Sequence, residues 1–110
     1  MKIKIFIRTF TTAEDAEMFN SVLHTKWPTL LEGKRGARFR LIFDPKKPHV
    51  STVVWEFENE NIQKEIEKII SDEIVKFTKV LSNKEMEFSG KVVLDFVAYR
   101  DSNLLNVKYI

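Results

Sequence analysis

Charged side chains set among apolar neighbours are the residues of this sequence best suited to bind a ligand. Arg38 and Arg40 alternate with apolar residues in GARFRLIF, and Arg8 does the same in MKIKIFIRTF. Arginine presents a rigid fork of donors that pairs with carboxylates or with an anionic ligand. Glu56 and Asp95 are the acids expected on the same sheet face, so we expect pairing that leaves this group net positive.

Two histidines are the remaining candidates for acid–base chemistry. His24 lies near the end of the first predicted helix, and His49 follows the loop DPKKP. Either could act as a general base, but isolated histidines are more often surface residues, so we predict no catalytic residue and leave open whether the chain is an enzyme. Without cysteine, and without histidines and carboxylates at ligand spacing, the sequence predicts neither a metal site nor a cofactor.

The composition is that of a small folded domain. The chain has 110 residues, of which 44% are hydrophobic and 31% charged, so we predict one domain over residues 1–110. A net charge of +2 is too small to favour sequence-independent binding to phosphate backbones. The N-terminus has no long apolar run, which argues against a signal peptide or a membrane span. The absence of cysteine fits a reducing compartment, and we expect a cytoplasmic protein.

Hydrophobic periodicity predicts the elements that carry these residues. Alternation of apolar and polar residues predicts strands, and apolar residues at helical spacing predict two amphipathic helices. Thr11 or Thr12 caps the first helix, which should end or kink where Pro28 follows Trp27. The predicted order is a strand over 2–10, a helix to 27, strands over 37–44 and 49–58, a helix to 81, a strand over 91–100, and a C-terminal strand or tail.

This order matches a ferredoxin-like α+β fold, β-α-β-β-α-β, in which two helices cover one face of an antiparallel sheet. Trp27 and Trp55 fall on apolar faces and are predicted core residues. The residues predicted beneath the helices are Ile3, Ile5, Ile7, Ala37, Phe39, Leu41, Phe43, Val53, Trp55, Phe57, Val92, Leu94, Phe96 and Ala98. Those predicted on the opposite, open face are Phe6, Arg8, Phe10, Arg38, Arg40, Ile42, Thr52, Val54, Glu56, Val93, Asp95, Val97 and Tyr99.

The predicted open face is more apolar than a sheet facing water needs, so we expect it to be an interaction surface. A second copy of the chain packing sheet against sheet is the interpretation we favour. Alternatively, single-stranded nucleic acid could stack on Phe6, Phe10 and Tyr99, although STVVWEFE lacks the aromatic stacking motif of RNA-recognition domains and two acids lie in the face. In a third interpretation, the face meets only the C-terminal segment of its own chain.

The layout resembles the dimeric α+β-barrel superfamily, whose members include antibiotic-biosynthesis-type monooxygenases and NIPSNAP-like proteins. The resemblance lies in GARFRLIFD, in STVVWEFENENIQKEIEKI, where a strand leads straight into the second helix, and in VLDFVAYRD as the late strand. It implies a homodimer whose two sheets meet, in some members with a small apolar or aromatic ligand between sheet and helices. We therefore predict a small-molecule-binding or accessory protein, with a cofactor-independent monooxygenase-like enzyme and a nucleic-acid-binding protein as alternatives.

Overall fold

A computed structural model describes residues 1–78, 83–98 and 105–109 of the chain. Over these residues the elements are β1 Lys2–Phe10, α1 Ala13–Leu30, β2 Ala37–Ile42, β3 Val50–Phe57, α2 Glu60–Thr78, β4 Asn83–Lys91, β5 Leu94–Ala98 and β6 Leu105–Tyr109. Four strands form an antiparallel sheet in the order β2-β3-β1-β4, and β5 pairs with β6 in a separate hairpin. The predicted ferredoxin-like α+β fold with an additional C-terminal strand is confirmed.

The first helix is encoded by its cap and by its buried stripe. The Thr12 side chain accepts a hydrogen bond from the Asp15 backbone N–H at 3.1 Å, which caps the N-terminus as predicted. Of the two alternatives predicted at Pro28, an end of the helix is wrong, because α1 continues through Pro28 to Leu30. A proline in the last turn removes one backbone donor but does not prevent the few following residues from staying helical. Neither described helix is long and apolar enough to span a membrane.

The core lies between the helices and the sheet. Trp55 on β3 stacks on Phe57 with ring centroids 5.6 Å apart, and the Phe39 ring on β2 lies 4.8 Å from the Trp55 ring. The apolar faces predicted for β2 and β3 are therefore the ones beneath the helices. Phe43, predicted for the same face, follows the end of β2 and is exposed. The buried apolar residues are Phe10, Ala16, Phe19, Leu23, Trp27, Val53, Trp55, Phe57, Ile66 and Ile70.

The structure reverses the two faces predicted for β1. Phe6 lies opposite Val53 beneath the helices, and Arg8 and Phe10 are buried, at 1% and 3% exposure. The prediction of which side chains of β1 face the helices is wrong. Both faces of this strand contain large apolar residues, so the alternation defines a strand without deciding which face is covered. The reversed residues are Ile3, Ile5 and Ile7, which lie on the open face, and Phe6, Arg8 and Phe10, which lie beneath the helices.

The fourth strand of the sheet is β4, and the predicted place of the strand over 91–100 in this sheet is wrong, because its residues Leu94–Ala98 form β5 of the separate hairpin. β4 pairs with β1 so that Glu85 lies opposite Arg8 and Glu87 lies opposite Phe6. The apolar run KVVLDFV favours a strand by itself, but β4 brings glutamates to the basic side chains of β1. Val92 and Val93 lie between β4 and β5, Leu94, Asp95, Phe96, Val97 and Ala98 lie in β5, and Tyr99 lies outside the described residues.

We expect Phe10→Ala to lower the free energy of unfolding by about 3–5 kcal/mol, because it leaves a cavity beside the Phe19 ring. Urea unfolding followed by circular dichroism measures the change. Met18→Ala is the matched control, since Met18 is 58% exposed on α1, and it should change stability by less than about 1 kcal/mol. Equal losses in the two variants would contradict an inward Phe10.

Candidate functional sites

The open face of the four-stranded sheet is apolar at its centre. Ile5 of β1 lies between Val54 on β3 and Phe88 on β4, and Ile7 lies opposite Met86 on β4. Phe88 and Met86 are 62% and 69% exposed, although both are large and apolar. A continuous exposed apolar area of this kind marks an interaction surface. The open face consists of Ile3, Ile5, Ile7, Arg38, Arg40, Ile42, Thr52, Val54, Glu56, Met86 and Phe88.

Charged side chains border the open face towards β2. Arg38 lies opposite Glu56 across β2 and β3, and Arg40 Nη2 forms an ion pair with the Glu56 carboxylate. The structure therefore brings Arg38, Arg40 and Glu56 together on this face, as the alternation predicts. Arg8 and Asp95, which the sequence predicts for the same group, lie elsewhere, beneath the helices and in β5.

The aromatic residues predicted to stack nucleic-acid bases are not together on the open face. Phe10 is part of the core and Phe6 packs against it, so both rings lie beneath the helices. Tyr99 lies outside the described residues. Phe6 and Phe10 therefore cannot form a stacking surface for a strand bound to the open face.

A cleft of about 940 Å³ opens between α1 and the β2 edge of the sheet. Leu23 and Trp27 on α1 line one side, and Phe39 and Leu41 on β2 line the other. Phe43, from the loop after β2, adds to the apolar lining. A mostly apolar cleft of this volume is typical of sites that bind small molecules.

Polar side chains of α1 line the same cleft. Asn20 and His24 are one helical turn apart, on the side of α1 that also carries Trp27. Asn20 Oδ1 accepts a hydrogen bond from the buried Ser51 hydroxyl at 2.7 Å. This bond leaves the Asn20 amide nitrogen without an acceptor among the described residues. The cleft can therefore hold an apolar molecule and also offer it hydrogen bonds.

Sequence reasoning does not find this cleft. The spacing of Asn20, His24 and Trp27 along α1 is the signal that could have found it, but the same spacing also describes an ordinary stripe that faces a core. His49, the other predicted candidate base, is not part of the cleft lining. Its backbone carbonyl accepts a hydrogen bond from the Phe10 N–H at 2.8 Å, which ties the loop before β3 to the end of β1.

Arg8 is a buried charge that the sequence does not predict. Its Nε–H donates to Glu85 Oε2 at 2.9 Å. Its guanidinium carbon lies 4.7 Å from the centroid of the Phe6 ring and 5.1 Å from that of Phe19. Burial lowers the pKa of Arg8, and the nearby Glu85 carboxylate opposes this by favouring the charged form. Arginine titrates so far above neutrality that the side chain stays charged.

Lys4 joins the same charged network and links the sheet to α2. Its Nζ lies 2.7 Å from Glu67 Oε1 on α2 and 3.1 Å from Glu87 Oε1 on β4. Gln63 Nε2 donates to Glu67 at 3.1 Å, which holds the carboxylate in place. Burial by itself lowers the pKa of Lys4, but the hydrogen bonds to the two carboxylates outweigh it, so the pKa is raised above its ordinary value of 10.5.

Comparison with solved structures identifies the fold. A dimeric ferredoxin-like protein from an uncultured marine organism is similar with a TM-score of 0.70 at 20% identity, over 88% of this chain and 98% of that one. A protein assigned as an antibiotic biosynthesis monooxygenase, from Deinococcus radiodurans, has a TM-score of 0.70 at 13% identity, over 96% of this chain and 100% of that one. A mutant of SnoaB, a cofactor-independent oxygenase from Streptomyces nogalater, has a TM-score of 0.58 at 11% identity, over 83% of this chain and 92% of that one.

This chain therefore has the ferredoxin-like α+β fold of these dimeric and monooxygenase-type proteins. The resemblance seen in the sequence is confirmed at the level of the fold. At identities of 20% and below, the likeness is one of fold alone. No protein-family profile and no curated protein sequence matches the chain.

We expect Lys4→Met to lower the free energy of unfolding by about 1 kcal/mol near neutral pH, because it removes the contacts with Glu67 and Glu87. The folded pKa of Lys4 lies above the unfolded value. This stabilisation is therefore complete below the ordinary pKa of 10.5 and is lost as the pH rises through the folded pKa. Urea unfolding of both proteins across this pH range measures the difference between them.

Lys26→Met is the control for the charge change. Lys26 is exposed on α1, and no ion pair involves it within the part of the chain that the structure describes. Its effect should be small and independent of pH. A Lys4→Met effect that stays constant from neutral to strongly alkaline pH would show that the two carboxylates do not stabilise the charged lysine.

Proposed function

We propose that this chain acts as a homodimer that binds a small, mainly apolar molecule in the cleft between α1 and β2. The cleft carries the proposal, because about 940 Å³ of space lined by Trp27, Phe39 and Leu41 opens at the surface. Proteins with the same fold include one described as dimeric and others described as monooxygenases, which supports the proposal through the fold.

The open face supports the dimer. A second copy packing on it would bury Ile42, Phe88 and Met86, which are 50%, 62% and 69% exposed in the single chain. The charged group lies towards the β2 edge of this face, so the apolar centre can pack while the charges stay at the rim. An apolar centre with a polar rim is the usual anatomy of a homodimer interface.

Phe88→Glu should convert the dimer to a monomer, because it would bury a carboxylate without a partner in the proposed interface. Size-exclusion chromatography with light scattering measures the mass, which for the wild-type chain should be near twice 13.0 kDa. Met18→Glu introduces the same charge at a similarly exposed position on α1, 58% against 62%, and should remain dimeric. A monomeric wild-type chain, or an unchanged dimer in Phe88→Glu, would count against this interface.

The lining of the cleft favours a neutral ligand with an aromatic or aliphatic body and one polar group. Trp27 and Phe39 offer flat apolar surfaces, while Asn20 and His24 offer hydrogen bonds along one side. Glu17 also lines the cleft, and its negative charge disfavours an anionic ligand. An aromatic alcohol such as 2-naphthol has the favoured chemistry.

2-Naphthol should bind the wild-type protein and shift the indole N–H resonance of Trp27 in a proton–nitrogen correlation spectrum. Ser21→Phe should weaken this binding about ten-fold or more, because the phenyl ring would occupy part of the cleft. Thr25→Phe adds the same ring one turn further along α1, at an exposed position outside the lining, and should leave the affinity unchanged. Equal affinities in the two variants, or no shift at Trp27, would contradict the proposed site.

Catalysis on the bound molecule is a second candidate function, and the position of His24 favours it. A histidine can take up or release a proton near neutral pH, and His24 lines the same cleft as Trp27. One protein of this fold is described as a cofactor-independent oxygenase. This candidate requires His24 to contact the molecule that we place in the cleft.

A further inference from the structure

A second cavity, of about 420 Å³, lies beneath α2 and shares no lining residue with the cleft between α1 and β2. Phe6, Ile70 and Ile74 give it apolar walls. Lys4 and Arg8 line it from β1, together with glutamates of α2 and β4. The volume is large enough for a ligand of one or two rings.

Arg8 brings unfilled hydrogen-bond donors to this cavity. A guanidinium has five N–H groups, and the Nε–H of Arg8 donates to Glu85 at 2.9 Å. For the N–H groups on the two terminal nitrogens, no acceptor is present among the residues that the structure describes. The residue is 1% exposed, so bulk water does not satisfy these donors. Buried donors without an acceptor are costly, and they point to an acceptor from outside the chain.

The guanidinium of Arg8 is held in place from several sides. Its central carbon lies over the rings of Phe6 and Phe19, at 4.7 and 5.1 Å from their centroids, and Glu85 holds its Nε. Ring faces stabilise the charge but are weak acceptors for N–H groups. The terminal nitrogens therefore keep donors without an acceptor among the described residues, on a side chain that lines the cavity.

The charges around the cavity favour a neutral ligand. Three basic residues and three glutamates line it, so their formal charges cancel. An added carboxylate would lie close to these glutamates, while Lys4 and Arg8 already pair with Glu67, Glu87 and Glu85. A carbonyl oxygen accepts hydrogen bonds without adding a charge. A neutral carbonyl compound therefore fits this cavity better than an anion.

We propose that this cavity binds a neutral ring compound through a carbonyl oxygen that accepts hydrogen bonds from the terminal nitrogens of Arg8. The ring packs against Phe6, Ile70 and Ile74. This site is separate from the cleft between α1 and β2, and it stands whether or not the proposed function is correct.

Three bicyclic probes separate the possible ligand classes. Coumarin carries a neutral carbonyl group, 2H-chromene has the same ring skeleton without it, and coumarin-3-carboxylate adds a negative charge. We expect coumarin to bind the wild-type protein about ten-fold or more tightly than 2H-chromene and to shift the Nε–H resonance of Arg8. Coumarin-3-carboxylate should bind more weakly than coumarin.

Arg8→Met removes the donors and keeps an unbranched apolar side chain, so the affinity for coumarin should fall to that for 2H-chromene. Glu85 would lose its partner, but its side chain is 37% exposed, which limits the cost to folding. Arg40→Met, on the open face, is the matched control and should leave all three affinities unchanged. Glu85→Gln keeps Arg8 and makes the cavity net positive, so it should retain coumarin binding and strengthen binding of coumarin-3-carboxylate.

Equal binding of coumarin and 2H-chromene by the wild-type protein would overturn the proposal, and this comparison holds even if Arg8→Met fails to fold. Tighter wild-type binding of the carboxylate probe would indicate an anion site instead. Absence of binding by all three probes would also overturn the proposal. Coumarin binding that Ser21→Phe abolishes, without a shift at Arg8, would place the probe in the cleft and would overturn this site alone.

Discussion

The burial of Arg8 is the constraint on which the rest of this fold depends. A guanidinium beneath two helices is unfavourable unless its charge is paired and its faces are packed. The rings of Phe6 and Phe19 pack against the guanidinium, and the Glu85 carboxylate pairs with its charge, since Glu85 lies directly opposite Arg8 on the neighbouring strand β4. The strand beside β1 must therefore carry glutamates that point inwards. β4 carries them, whereas the more apolar β5 has none.

The same constraint produces the apolar open face. Because side chains alternate along a strand, an inward Arg8 requires the isoleucines of β1 to point outwards. Those isoleucines join Ile42, Val54 and Phe88 in one surface. The covered face therefore carries more charge than a protein core usually does, and the open face is more apolar than a protein surface usually is. Both properties follow from which face of β1 lies beneath the helices.

The two helices leave different spaces against the sheet because their inner faces differ. α1 buries large apolar side chains such as Leu23 and Trp27, and the space towards the β2 edge is a mostly apolar cleft. α2 carries Glu67 into contact with Lys4, and the space beneath it is lined by charges. One layer of helices therefore forms two cavities of different chemistry on a single sheet.

The local sequence by itself determined the types and order of most elements, and it determined the faces of β2 and β3. Each of these strands has one clearly apolar face, so Arg38, Arg40 and Glu56 could be placed together from alternation alone. Only the tertiary structure decided the phase of β1 and the choice of β4. Both faces of β1 contain large apolar residues, and which face is covered depends on the pairing of Arg8 with Glu85, which lies 77 residues away along the chain. The cavities also formed only in the folded chain, because their walls come from separate elements and no local pattern describes the space between them.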